Sequence, residues 1–139
     1  MEFFIHRERD FDGTAYVEIG PGTYSGKHWQ PGYLFIDEDD FFPAEQALRT
    51  HVSNYDHYDM NNIAKDVGER VIAEWRITAA NLSSKKESAA AILDVETDSD
   101  SFRNSLESDR GKIAAMLSEL ADSCESFCEK DSGFCVLGL

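Results

Sequence analysis

Residues 33–43 read YLFIDEDDFFP, and this stretch decides the fold. Tyr33-Leu34-Phe35-Ile36 is an unbroken apolar run with strand-forming side chains, suited to a short strand buried on both faces. It stops abruptly at Asp37-Glu38-Asp39-Asp40. Pro43 then fits the first turn of a helix, where its missing N–H is not needed, and the acids just before it favour the positive helix end. Upstream, Phe3 to Arg9 and Thr14 to Ile19 read as two strands around Asp10-Phe11-Asp12-Gly13, a hairpin whose loop is longer than two residues. Gly20 to Gly32 (GPGTYSGKHWQPG) is a loop punctuated by Gly and Pro, with Tyr24 and Trp29 between them.

Downstream of Pro43 the pattern becomes helical. The first helix runs to about Ser53 and buries Ala44, Ala47, Leu48 and Val52. Asn54-Tyr55-Asp56-His57-Tyr58-Asp59 breaks it. A second helix follows from about Met60 to Asn81, with Ile63, Val67, Val71, Ile72 and Trp75 on one stripe. Residues 83–97 read two ways: Ala89-Ala90-Ala91 favours helix, whereas Ile92 to Glu96 alternates like a strand. Asp98 to Ser108 reads as a polar loop anchored by Phe102 and Leu106. Asp109 to Glu129 is the clearest helix, burying Ile113, Met116, Leu117, Leu120, Cys124, Phe127 and Cys128. Gly133 breaks the chain before a last strand, Phe134 to Leu137. The expected fold is α+β: an antiparallel sheet from three N-terminal strands and the C-terminal strand, packed on three or four helices, in one domain over residues 1–139.

Charge bounds the function. The chain carries 27 Asp and Glu against 13 Lys and Arg, a formal net charge of −14 on 139 residues. Its 42% hydrophobic and 12% aromatic content is too high for a disordered acidic tail. Such a field repels nucleic acid and anionic membrane and attracts basic surfaces. No apolar run approaches the ~20 residues of a membrane span. The start, MEFFIHRERD, lacks the basic-then-apolar order of an export signal, so the expected location is cytoplasmic. Cys124, Cys128 and Cys135 then read as reduced core thiols rather than a disulfide framework.

Catalytic and cofactor signatures are missing. No Ser sits in a nucleophile motif, and Gly20-Pro21-Gly22 lacks the Lys-Ser/Thr and helix of a phosphate loop, so no catalytic residue and no cofactor is assigned. His51, Asp56, His57 and Asp59 fall within nine residues and are the candidates for a small metal- or ligand-binding enzyme domain, although no compact ligand motif is present and no metal ligand is assigned. The acids themselves are more informative. Asp37, Glu38, Asp39 and Asp40 form one cluster. Asp94, Glu96, Asp98 and Asp100 form another, which points to one side if the segment is extended. Glu119, Asp122, Glu125 and Glu129 form a third on the long helix. Trp29, Tyr55 and Tyr58 fall in loops, where aromatic side chains serve as interface anchors.

In size, acidity and organisation the chain resembles bacterial immunity proteins of contact-dependent and other polymorphic toxin systems. The resemblance is of overall type and rests on no shared motif, so it transfers no functional residue. It implies an acidic inhibitor that neutralises a cognate basic toxin domain, expected to be a nuclease, by one-to-one binding. The expected partner-binding residues are Asp37, Glu38, Asp39, Asp40, Asp94, Glu96, Asp98 and Asp100, with Trp29, Tyr55 and Tyr58. A DNA mimic blocking a DNA-binding protein is the alternative. That alternative requires a continuous acidic stripe with charges ~7 Å or less apart.

Overall fold

The computed structural model describes residues 2–7 and 15–138. The predicted turn at Asp10-Phe11-Asp12-Gly13 lies outside the described residues. Among those described are five strands: β1 (Ile5–His6), β2 (Tyr16–Pro21), β3 (Leu34–Asp37), β4 (Met60–Ala64) and β5 (Gly133–Leu137). They form one antiparallel sheet in the order β1-β3-β2-β5-β4, so the hairpin expected between the first two strands is corrected: β1 pairs with β3, which lies between β1 and β2. The helices are α1 (Phe42–His51), α2 (Lys65–Ser84), the single turn α3 (Ala89–Ile92) and α4 (Asp100–Asp131), with a 3₁₀ turn at Glu38–Asp40 ahead of α1. The fold is α+β, as the sequence predicts.

Strand alternation sorts the side chains onto two faces. Ile5, Val17, Ile19, Leu34, Ile36, Ile63, Phe134 and Val136 point to the helices and join the main core. There they meet α2 through Val71, Ile72 and Trp75, and α4 through Ile113, Leu117, Leu120 and Cys124. The Trp75 indole N–H donates to the Ala44 carbonyl at 3.0 Å and so ties α1 to α2. Arg110 on α4 is 7% exposed and closes the far end of the bundle. Its guanidinium donates to the carbonyls of Leu82 (2.8 Å) and Glu87 (3.0 Å) and to Glu107 (2.7 Å), satisfying a helix-terminal acceptor at the end of α2.

The opposite face of the sheet is covered by a loop rather than a helix. Register lines up His6, Phe35, Glu18, Leu137 and Met60 as one cross-strand row on this face. Tyr33, Phe35, Cys135 and Leu137 form a second small core, covered by Tyr16, Tyr24 and Trp29. The Trp29 ring stacks on Phe35 at 4.9 Å. The Tyr33 ring fills the space left by Gly20, where a Cβ would lie 2.3 Å from it. Each fully buried large apolar side chain contributes ~1.5–3 kcal/mol. The helix-side cluster holds many more of them, so it carries most of the stability.

Further along the chain, two more expectations are corrected and one open segment is resolved. Residues 60–64 are strand, not the start of a helix, because Asn61 and Ile63 alternate inward and the segment pairs with β5 from Met60↔Leu137 to Ala64↔Gly133. Residues 100–108 are helix, not loop: the Ser99 hydroxyl accepts the Phe102 amide and caps α4 nine residues earlier than the apolar stripe suggested. The ambiguous segment resolves into one helical turn capped by Ser88, with no strand at 92–96. The Asp94 amide bonds the Ala91 carbonyl and the Val95 amide the Ala90 carbonyl, closing a helix end that leaves Asp94 at φ 53°.

Candidate interaction surface

The acidic run after β3 is mostly used within the fold. Asp37 accepts the Asp39 amide at 2.9 Å and caps the 3₁₀ turn. Asp40 is buried and accepts the Phe3 amide at 3.1 Å, which anchors the N-terminal segment. Burial raises the Asp40 carboxyl above its ordinary range, and the Phe3 amide offsets part of that rise. Glu38 accepts a hydrogen bond from His57. Asp39 alone of the four is exposed.

His57 is the hub of the end of the sheet where β3 leaves and β4 begins. Its Nε2 lies 2.8 Å from Glu38 Oε1 and its Nδ1 2.7 Å from Glu45 Oε2. The Tyr55 hydroxyl donates to the same Glu45 oxygen at 2.9 Å, and Arg49 lies 3.5 Å from it. Glu45 is 5% exposed, so a charge has been placed inside the fold and balanced there. Burial alone lowers the basicity of His57, but the hydrogen bonds and charges of Glu38 and Glu45 outweigh it and the net shift is upward. Burial, with Glu45 beside it, raises the Tyr55 hydroxyl well above its ordinary range. When protonated, an imidazole that faces carboxylates through both nitrogens donates from each and keeps no lone pair for proton abstraction. The cluster acts as a clamp on the loop over residues 54–59.

Asn61 fixes the same loop from below. It is 6% exposed, donates through Nδ2 to the carbonyls of Asp56 (2.8 Å), Asp59 (3.2 Å) and Val136 (3.2 Å), and accepts the Asp56 amide at 2.9 Å. At the other side of the loop the Gly138 amide donates to the Asp59 carbonyl at 2.9 Å. A Cβ on Gly138 would lie 1.6 Å from the His57 carbonyl oxygen, so only glycine permits this closeness. The clamped loop projects Tyr58 and Asp59 into solvent.

The three expected aromatic anchors therefore separate. Tyr55 packs on the main core and Trp29 on the second one, both partly buried. Tyr58 is 69% exposed, its ring standing edge-on to His57 at 4.7 Å. The second acidic series differs from the first. Asp94, Glu96 and Asp98 are exposed, alternating with buried or half-buried Leu93, Val95 and Thr97, and none has an ion-pair partner among the described residues. Asp100 begins α4 and pairs with Arg103. The row on α4 is interrupted by cations: Arg7 meets Glu119 at 2.9 Å, and Arg76 meets Asp122 at 2.8 Å and also Glu125.

The metal candidates point to other partners. His51 Nε2 lies 3.2 Å from Glu74, and His57 is engaged by Glu38 and Glu45. Asp56 and Asp59 accept the amides of Tyr58 and Met60. Among the described residues no group of three or more His, Cys, Asp or Glu is arranged to hold a metal ion. The three cysteines are buried free thiols, and burial pushes the Cys124 thiol well up, so it stays protonated. No helix among the described residues is long and apolar enough to cross a membrane. Comparison with protein-family models, with curated proteins and with solved structures found no match.

Sequence reasoning overlooked Met60, 51% exposed beside Tyr58. The alternation Met60-Asn61-Asn62-Ile63 after a turn was its one local signal, and two adjacent asparagines weakened it.

Proposed function

We propose that this chain is an acidic binding protein for a basic protein partner, and that it serves as an immunity protein neutralising a cognate basic toxin, a nuclease by preference, in a one-to-one complex. The strip Asp94, Glu96 and Asp98 is the observation that carries this reading: three exposed carboxylates in alternation, none of them ion-paired among the described residues, although Arg103 donates to the Thr97 carbonyl between them and Arg49 lines the same pocket as Asp94. Surface acids that serve only solubility are usually interspersed with Lys and Arg. Three unpaired ones add to the self-repulsion of a chain at −14, and a docking cation relieves that repulsion. The strip would steer encounter, while the aromatic and aliphatic surface around Tyr58 would supply contact area.

The test is association with basic nuclease domains of polymorphic toxins, measured by stopped flow at low and high salt. A cognate pair is expected to associate at up to ~10⁸ M⁻¹s⁻¹ at low salt, slowing as salt rises. Reversing Asp94, Glu96 and Asp98 together to Lys should slow that association at least tenfold. An inhibitory complex whose association rate ignores both salt and the triple reversal would overturn the reading.

A further inference from the structure

Between the loop roof and the start of β4 lies a cleft of about 410 Å³. It is lined by Tyr24 and His28 from the loop, by Tyr58, Asp59 and Met60, and by Leu137 and Gly138 at the end of β5. We infer that this cleft receives an arginine side chain of the basic partner protein. The inference rests on the basic-partner reading above and adds to it a defined residue type and place.

Four observations favour that occupant. First, Tyr58 and Met60, two of the four most exposed large apolar side chains, meet at this one cleft. Second, the walls hold their shape without a ligand. The Tyr24 amide donates to Asn62 Oδ1 at 2.8 Å, His28 Nδ1 lies 3.1 Å from Glu18, and the Tyr58 ring stands edge-on to His57. Third, Asp59 stands at the rim with one carboxylate oxygen fixed by the Met60 amide at 2.8 Å and no ion-pair partner among the described residues. Fourth, buried Glu18, outside the lining, engages His28 through one oxygen and the Trp29 amide through the other, and so fixes the His28 side of the cleft. A guanidinium is planar and weakly hydrated, so it can lie against an aromatic face while its edge donates to a carboxylate. An ammonium holds its water more firmly and uses such a site less well.

Titration of the ¹⁵N-labelled chain with three tripeptides, Gly-Arg-Gly, Gly-Lys-Gly and Gly-citrulline-Gly, tests the assignment by amide shifts. The arginine peptide is expected to move the amides of residues 24, 28, 58–60 and 138, binding three- to fivefold tighter than the lysine peptide, while citrulline leaves them in place. Tyr58→Ala and Asp59→Asn should each weaken the arginine peptide about threefold at those amides. Both substitutions are at exposed positions, and the rest of the spectrum reports that the fold is kept. Equal responses to all three peptides, or arginine-peptide shifts confined to residues 94–98, would overturn the pocket. The second outcome leaves the acidic strip as a docking surface, so loss of the pocket is distinguishable from loss of the basic-partner reading, which the stopped-flow experiment tests.

Discussion

Replacing Asn61 by Ala tests how the loop that presents Tyr58 and Asp59 is held. The side chain contacts three carbonyl acceptors through two N–H groups and accepts one amide, so three full-strength hydrogen bonds are at stake. Each contributes ~1 kcal/mol net. Water can replace the contacts to exposed Asp56 and Asp59, so the penalty for stranded partners is confined to the buried Val136 carbonyl. Asn61→Ala is therefore expected to cost ~2–3 kcal/mol, which lowers Tm by roughly 6–12 °C in a chain of this size. Urea unfolding followed by the fluorescence of buried Trp75 measures the first quantity and calorimetry the second. Asn61→Asp changes the charge at the same place. It keeps the acceptor but turns a carboxylate towards carbonyl oxygens in a buried place, so at neutral pH it should be less stable than Asn61→Ala. Its folded-state pKa is raised, so it should regain stability relative to wild type as pH falls and the new carboxyl takes up a proton. A cost below about 0.5 kcal/mol for Asn61→Ala, or an Asp variant more stable than the Ala variant at pH 7, would show that Asn61 does not hold the loop.

The His57 clamp predicts a second pH dependence of opposite origin. Because the folded-state pKa of His57 is raised, its contribution is fully present below the unfolded value of about 6.5 and is lost as pH rises through the folded value. Denaturation of wild type and His57→Gln in parallel should show wild type losing stability from near neutrality upward relative to the variant, and parallel pH profiles would contradict the clamp. On the outer face, Gly20→Ala places a Cβ 2.3 Å from a buried aromatic ring and should cost ~1–3 kcal/mol by overpacking. A double-mutant cycle with Tyr33→Val should recover much of that loss, and additivity would show that the ring is not what fills the space above Gly20.

How much of this was legible in the sequence depended on the distance over which each signal acts. The run Tyr33 to Ile36, the stripe from Ile113 to Cys128 and the strand after Gly133 carry their own periodicity or punctuation, and each lies where expected. Strand β4 does not. Its five residues become a strand because β5, some 75 residues further on, offers a ladder, and Asn61 donates to Val136 across that separation. The start of α4 was hidden for another reason: its first turns bury little beyond Leu106, so the cap at Ser99 was a better marker than the apolar pattern. The acids show the same limit. Asp40 and Asp94 look alike in composition, yet one meets the Phe3 amide 37 residues away and the other faces solvent. Composition supplied the total charge, but only tertiary structure separated the acids that hold the fold from those available to a partner.

The roof over the outer sheet face is coil, and coil brings no ladder of its own to hold it down. It adheres through the Trp29–Phe35 stack, the tether from Tyr24 to Asn62 and the grip of His28 and the Trp29 amide on Glu18. A single backbone cut near exposed Gly26 would release this cover while leaving the helix-side core whole. The uncovered sheet would then present Phe35, Tyr33 and Leu137 to water, and a chain kept apart from its neighbours by like charge would gain an adhesive face. Solubility and the integrity of one short segment of coil are thus coupled in this molecule.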